Sequence, residues 1–148
     1  MEIKNRKVNM KGFTLIELLA VIIILAIIAL IAVPTIMTII DNSKKSAATD
    51  SAYGVISAAE LWYSNFMLDH NGTSKGATFT CGGDNVKACK ATVDNKEQTL
   101  SIKGEVPTAG TVKVDETGTV EITDLIINGK KCNHDANDKS KVNCNNPE

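Results

Sequence analysis

Lys11-Gly12-Phe13-Thr14-Leu15-Ile16-Glu17-Leu18-Leu19, with the apolar run that follows it to Ile40, decides how the rest of the chain is read. Leu18 to Ile40 is 23 residues without a charged side chain, and about 20 apolar residues suffice for a helix to cross a bilayer core. Before the run stand Lys4, Arg6, Lys7 and Lys11 against one acid, Glu2. That bias holds the short N-terminal segment on the cytoplasmic side. Glu17 breaks the pattern, because an ionised carboxylate in an apolar flank is costly without a partner. A cleaved secretory signal would want Ala-x-Ala-like sites such as those between Ala26 and Ala32, but the run continues past them and such a signal has no use for Glu17. A plain anchor explains the length and the basic flank, and leaves the carboxylate unexplained.

Outward from this stretch, a helix should start near Phe13 and continue through Pro34. There the ring removes one donor and crowds the Leu30 carbonyl, so a kink or loosened turn is expected. Beyond Ile40 the pattern becomes one-sided. Ala48, Ala52, Val55, Ala59, Trp62 and Phe66 recur at three- and four-residue spacing, widened by Ile56 and Tyr63, with Lys44, Lys45, Asp50, Ser57, Glu60 and Ser64 opposite. This is an amphipathic helix with a core to cover, stopping at His70-Asn71-Gly72. Asn71-Gly72-Thr73 also fits an N-glycosylation pattern, though it serves more simply as the turn.

Thr73 to Gln98 is rich in Gly, Thr, Lys, Asp and Asn and reads as an irregular loop. Strands are expected at Thr99 to Val106, Thr111 to Val114 and Thr119 to Ile127, with Asp115-Glu116-Thr117-Gly118 as a hairpin turn. Asn128-Gly129 is a second tight turn, leading into Lys130-Lys131-Cys132. The expected sheet is an antiparallel meander of three or four strands. Leu100, Ile102, Val112, Val114, Val120, Ile122 and Ile126 would close on the helix face, and residues 133–148 would be held down without regular structure. The fold class is therefore α+β: a long N-terminal helix, membrane-spanning in its first half and amphipathic in its second, packed on a small antiparallel sheet with disulfide-stapled loops. The divisions are 1–12, 13–40, 41–71, 72–98 and 99–148.

Four cysteines fall as two local pairs, Cys81 with Cys89 and Cys132 with Cys144. Zinc ligands favour two-residue gaps, which these spacings do not supply. All four lie beyond the apolar span, on the non-cytoplasmic side, where disulfides persist. Three pairings are possible, and the two local ones are preferred. His70 sits at a helix end and His134 in the polar tail, and neither has a nucleophile beside it in sequence. No catalytic arrangement is readable.

The basic leader ending in Gly12, the Phe13-Thr14-Leu15-Ile16-Glu17 stretch and the aliphatic helix with Pro34 together closely resemble the type III signal of type IV prepilins and type II secretion pseudopilins. The resemblance covers roughly the first third of the chain. It implies that a membrane aspartyl peptidase, the prepilin peptidase, cuts between Gly12 and Phe13. It further implies that the new Phe13 amine is N-methylated, and that Phe13 and Glu17 take part in subunit assembly. Pro34 would mark a segment able to melt and stretch as subunits pack. Cys132–Cys144 resembles the C-terminal disulfide loop of many type IV pilins. Because major pseudopilins bind calcium near the C-terminus, Asn133, Asp135, Asn137 and Asp138 are the candidate ligands. The distal bidentate glutamate is missing, position 144 being cysteine, which favours a solvated loop; no other cofactor is implied.

Loss of residues 1–12 would leave 12 lysines against 16 acids and no arginine, which argues against a dedicated nucleic-acid surface. With 148 residues, 43% apolar, 22% charged and 4% aromatic, the chain has room for one membrane helix and one small domain. The resemblance implies a non-enzymatic subunit of a helical homopolymer, inserted in the membrane before assembly. Its partners would be the peptidase, an inner-membrane assembly platform and an assembly ATPase. A pseudopilin of a secretion or DNA-uptake system is the alternative within the family. Outside it stands a binding domain or enzyme on an uncleaved anchor.

Overall fold

The computed structural model describes residues 12–73, 75–83, 88–135, 138 and 140–147. One helix, α1 (Leu15–Asp69), precedes seven strands: β1 (Ala77–Cys81), β2 (Cys89–Val93), β3 (Lys96–Thr99), β4 (Ala109–Val114), β5 (Val120–Ile127), β6 (Lys130–His134) and β7 (Val142–Asn145). The chain divides into two compact units, Met1–Ile40 and Asp41–Glu148.

In the first unit, α1 is apolar all round and its large side chains are exposed, from Leu15 at 88% to Ile40 at 49%. Such a surface needs a cover of lipid or protein. In the second unit, the rest of α1 buries Ala48, Ala52, Val55, Ala58, Ala59 and Phe66. Small residues there let the helix lie close to the sheet, while Trp62 meets Phe79 edge-on with ring centroids 4.9 Å apart. The helix ends where Asn71 and Gly72 take positive φ and the Gly72 N–H reaches back to the Met67 carbonyl at 2.8 Å, a Schellman-type closure.

The sheet is wholly antiparallel, in the order β3-β2-β1-β4-β5-β6-β7. It is larger than the expected three- or four-stranded meander, and the reasons are local. The expected loop at 72–98 contains β1, β2 and β3. Ala77, Phe79 and Cys81, then Cys89, Ala91 and Val93, alternate inward, but alanine and cysteine at those positions give a weak apolar signal. Asp94 and Asn95 both take positive φ and close a two-residue hairpin, with Val93 opposite Lys96.

The strand expected over Thr99 to Val106 is not formed beyond Thr99. Gly104 has φ near 110° and Pro107 offers no ladder donor. Instead the segment between β3 and β4 crosses back past β2 and β1. On the way it passes α1 at Gly54, where a Cβ would lie 3.0 Å from the Lys103 carbonyl. The tail is also more regular than expected, since β7 pairs with β6 along Lys131↔Asn145 to His134↔Val142.

The expected inward face of β5 changes phase midway. Gly110 in β4 opposes two residues, Asp124 and Leu125, at a bulge, and Asp124 takes positive φ. The extra residue hands the inward direction from Ile122 to Leu125 and Ile127, which are fully buried, and leaves Ile126 half-buried. Leu100, Val112, Val114 and Ile122 are buried, and Ile102 and Val120 pack against the core.

Candidate functional site

Gly12 and Phe13 precede the helix and are exposed, Phe13 at 88%. A Cβ added at Gly12 would meet nothing within 4 Å, so among the described residues no packing asks for glycine there. Thr14 caps α1. Its carbonyl accepts the Leu18 N–H at 3.2 Å, and its hydroxyl oxygen accepts the Glu17 N–H at 3.3 Å. In return Glu17 Oε2 accepts the Thr14 N–H at 2.8 Å and the Thr14 hydroxyl at 2.6 Å. This reciprocal arrangement is a capping box, with the negative charge in the positive first turn of the helix. The Thr-x-x-Glu spacing was legible in the sequence, and the role of Thr14 follows from it. The carboxylate that looked unpartnered is thus satisfied within its own first turn.

Farther along, α1 continues through Pro34. The Thr35 hydroxyl donates to the Ile31 carbonyl at 3.3 Å and the Thr38 hydroxyl to the Pro34 carbonyl at 3.2 Å. Around the proline these hydroxyls supply donors to an apolar helix whose most hydrophobic window has no buried residue.

Residues 7–33 match the family model described as the prokaryotic N-terminal methylation motif. The chain carries the type IV pilin and pseudopilin signal. The signal covers the leader's end, the capping box and the first part of the apolar helix, and the match stops there. It implies processing by a prepilin peptidase and pilus-type assembly, and it points to a structural subunit rather than an enzyme. A membrane-anchored precursor fits the signal and the exposed apolar helix. No curated protein and no solved structure matches the chain.

The basic residues of the leader, Lys4, Arg6, Lys7 and Lys11, lie outside the described residues. Away from the signal, Cys81 is bonded to Cys89 and Cys132 to Cys144, with Cα atoms 3.9 and 4.1 Å apart. Both are pairs of directly opposed residues on neighbouring strands.

Of the calcium candidates, Asn133 accepts the Asp124 N–H at 2.6 Å and donates to the Asp124 carboxylate at 3.2 Å. Asp138 accepts from the Ser140 N–H at 3.0 Å and pairs with Lys141 at 3.0 Å. Bonds from the Ser140 hydroxyl and from Lys141 hold the Asp138 carboxyl below its usual range. The Asp135 N–H donates to the Lys141 carbonyl at 2.8 Å, and Asn137 lies outside the described residues. Among the described residues no three His, Cys, Asp or Glu side chains are grouped to hold a metal.

The two histidines are placed apart. His70 stacks on Phe66 at 4.0 Å between ring centroids. His134 accepts the Ile122 N–H through Nδ1 at 3.0 Å, which continues the β5–β6 pairing by side chain where the backbone register ends.

One cluster had no signal in the sequence. Lys130 has a side chain only 4% exposed, and its Nζ contacts both the Asp41 carboxylate and the Asn146 side-chain oxygen. The tight Asn128-Gly129 turn turns β6 back beside α1 at this point, which nothing in the local pattern of Lys130-Lys131 announces.

Proposed function

We propose that the chain is a pilin-like structural subunit, cut between Gly12 and Phe13, methylated at the Phe13 amine and polymerised through α1 into a surface filament. The observation that carries this reading is the methylation motif leading into a helix that is apolar and exposed on every side. Held in lipid, that surface is covered. In a bundle of identical helices it is covered again, and the sheet domains then form the outside.

The chemistry of assembly follows from the new terminus. Cleavage turns the Phe13 nitrogen from an amide into a cationic amine, four residues before the Glu17 carboxylate. Among the described residues Glu17 accepts from the neutral donors of Thr14, so an incoming cation offers it a stronger, charge-assisted partner. Pairing of the Phe13 amine of one subunit with Glu17 of the next would fix register, since aliphatic side chains alone slide with little penalty. Removing either member would strand the other charge in an apolar setting. A bend or local melting at Pro34 would let α1 adjust its length while the bundle forms.

Glycine at position 12 suits a peptidase that must approach the backbone closely. N-terminal mass spectrometry of the protein recovered from filaments tests the reading. The expected product begins at Phe13 with a methylated amine. A product beginning near residue 33, or one that keeps the leader on every copy, would contradict it.

A further inference from the structure

We propose that Lys130 and Asn146 form an intramolecular isopeptide bond, with Asp41 as the proton-carrying group. Three side chains that the chain separates widely meet at one atom. The Lys130 Nζ contacts the Asn146 carboxamide oxygen and the Asp41 carboxylate. The lysine side chain is only 4% exposed, whereas Asp41 is 53% exposed. Burial fixes the amine against its two partners, Asn146 presents its carboxamide from the surface beside it, and the carboxylate retains a route for protons to solvent. The elements holding the three groups are distinct: β6 for Lys130, α1 for Asp41 and the segment after β7 for Asn146. Folding itself therefore assembles the reactants, and proximity of this kind replaces an encounter in solution.

The step balances within the three groups. Lys130 enters as an ammonium ion and gives a proton to Asp41, and the neutral Nζ adds to the Asn146 Cγ. A new C–N bond forms, and the bond from Cγ to the original amide nitrogen breaks, its electron pair leaving with that nitrogen. Asp41 returns the first proton to the departing nitrogen and then carries the second one lost by Nζ. Ammonium leaves as lysine ammonium is consumed, so charge and atoms are conserved without an oxidant or an activating group. Asn146 lines an open groove together with Lys131, Asn145 and Pro147, which gives the released ion an exit. The bond would tie the segment beyond Cys144 to β6, and unlike the neighbouring Cys132–Cys144 bridge it would survive reduction.

Beside this cluster, Lys45 donates to the Asn145 side-chain oxygen at 3.0 Å on the exposed surface. That pair lacks burial and serves as an internal control, expected to stay unlinked.

The test is the intact mass of the denatured full chain with its disulfides reduced, followed by tryptic mapping of the reduced chain. The expected mass is one ammonia below the value for the reduced sequence. The map should show the peptide containing Lys130 joined to the one bearing Asn146, uncut after Lys130. Lys130→Arg and Asn146→Ala should each restore the full mass. Asp41→Asn should also restore it while both disulfides still map, which shows that the fold is retained. A full mass in the unaltered chain would overturn the proposal. So would an ammonia loss mapping to Asn71-Gly72 or Asn128-Gly129, where ring closure onto glycine also expels ammonia. A water loss joining Lys130 to Asp41 would overturn Asn146 as the acceptor.

Discussion

Gly110 shows how much one residue can decide. It takes φ near 109°, and a Cβ there would lie 2.5 Å from the Asp124 carbonyl oxygen and 2.6 Å from the Leu125 Cα. Both atoms belong to backbone and cannot swing aside. Gly110→Ala should therefore cost about 1–3 kcal/mol from the backbone conformation alone, with the clash added. A lower urea midpoint at unchanged slope would show it. Gly12→Ala, where a Cβ meets nothing, should leave the midpoint unchanged.

Asp115 acts at the same scale through charge. Its carboxylate accepts from the Thr117 hydroxyl at 2.6 Å, the Thr119 N–H at 2.9 Å and the Thr117 N–H at 2.8 Å. These bonds, led by the Thr117 hydroxyl, hold its pKa below the ordinary 3.8. A depressed carboxylate stabilises the fold fully above the unfolded value, and that contribution is lost as pH falls through the folded one. The stability difference between the unaltered chain and Asp115→Ala should hold constant from neutrality down to about pH 4, then shrink below it. Denaturant titrations of both proteins across that range provide the check. The same turn is pinned to α1 by the Tyr63 hydroxyl, which donates to the Glu116 carbonyl at 2.7 Å.

At the scale of elements, two disulfides join strands that already pair. Each closes a short loop, and each should contribute on the order of 2–4 kcal/mol by restricting the unfolded chain. Replacing Cys132 and Cys144 together by alanine in the 41–148 fragment should lower the melting temperature by roughly 10 °C or more. An unchanged melting temperature would mean the β6–β7 ladder and the Lys130 cluster hold the tail without it. What was legible in the sequence follows the strength of local signals. Helix α1 and its buried face were readable because Ala48, Ala52, Val55, Ala59 and Phe66 repeat at helical spacing with polar residues opposite. The β4–β5 and β5–β6 turns were readable because Asp115 to Gly118 and Asn128-Gly129 have strong turn chemistry. Strands β1 to β3 were hidden, since Ala77, Cys81, Cys89 and Ala91 carry little apolar contrast and Asp94-Asn95 lacks the glycine that marks a tight hairpin. The phase change in β5 was hidden too, because a bulge depends on the partner strand at Gly110.

At the scale of the molecule, the candidate site was legible where it is linear and obscure where it is assembled by folding. Gly12, Phe13 and Glu17 stand within six consecutive residues, whereas Asp41, Lys130 and Asn146 meet only in the folded chain. The signal at residues 7–33 and the exposed apolar helix bear on assembly, and the disulfide-stapled sheet bears on durability. In the proposed reading, membrane insertion depends on the apolar run and cleavage on Gly12-Phe13, so neither requires the Glu17 carboxylate. Assembly does, if the carboxylate passes from Thr14 to the Phe13 amine of another subunit. The most direct measurement is filament yield from Glu17→Ala, set against the amount of cleaved subunit in membranes. The account predicts normal cleavage with filaments reduced to a small fraction, and partial recovery with Glu17→Asp. Filaments of normal yield from Glu17→Ala would contradict it.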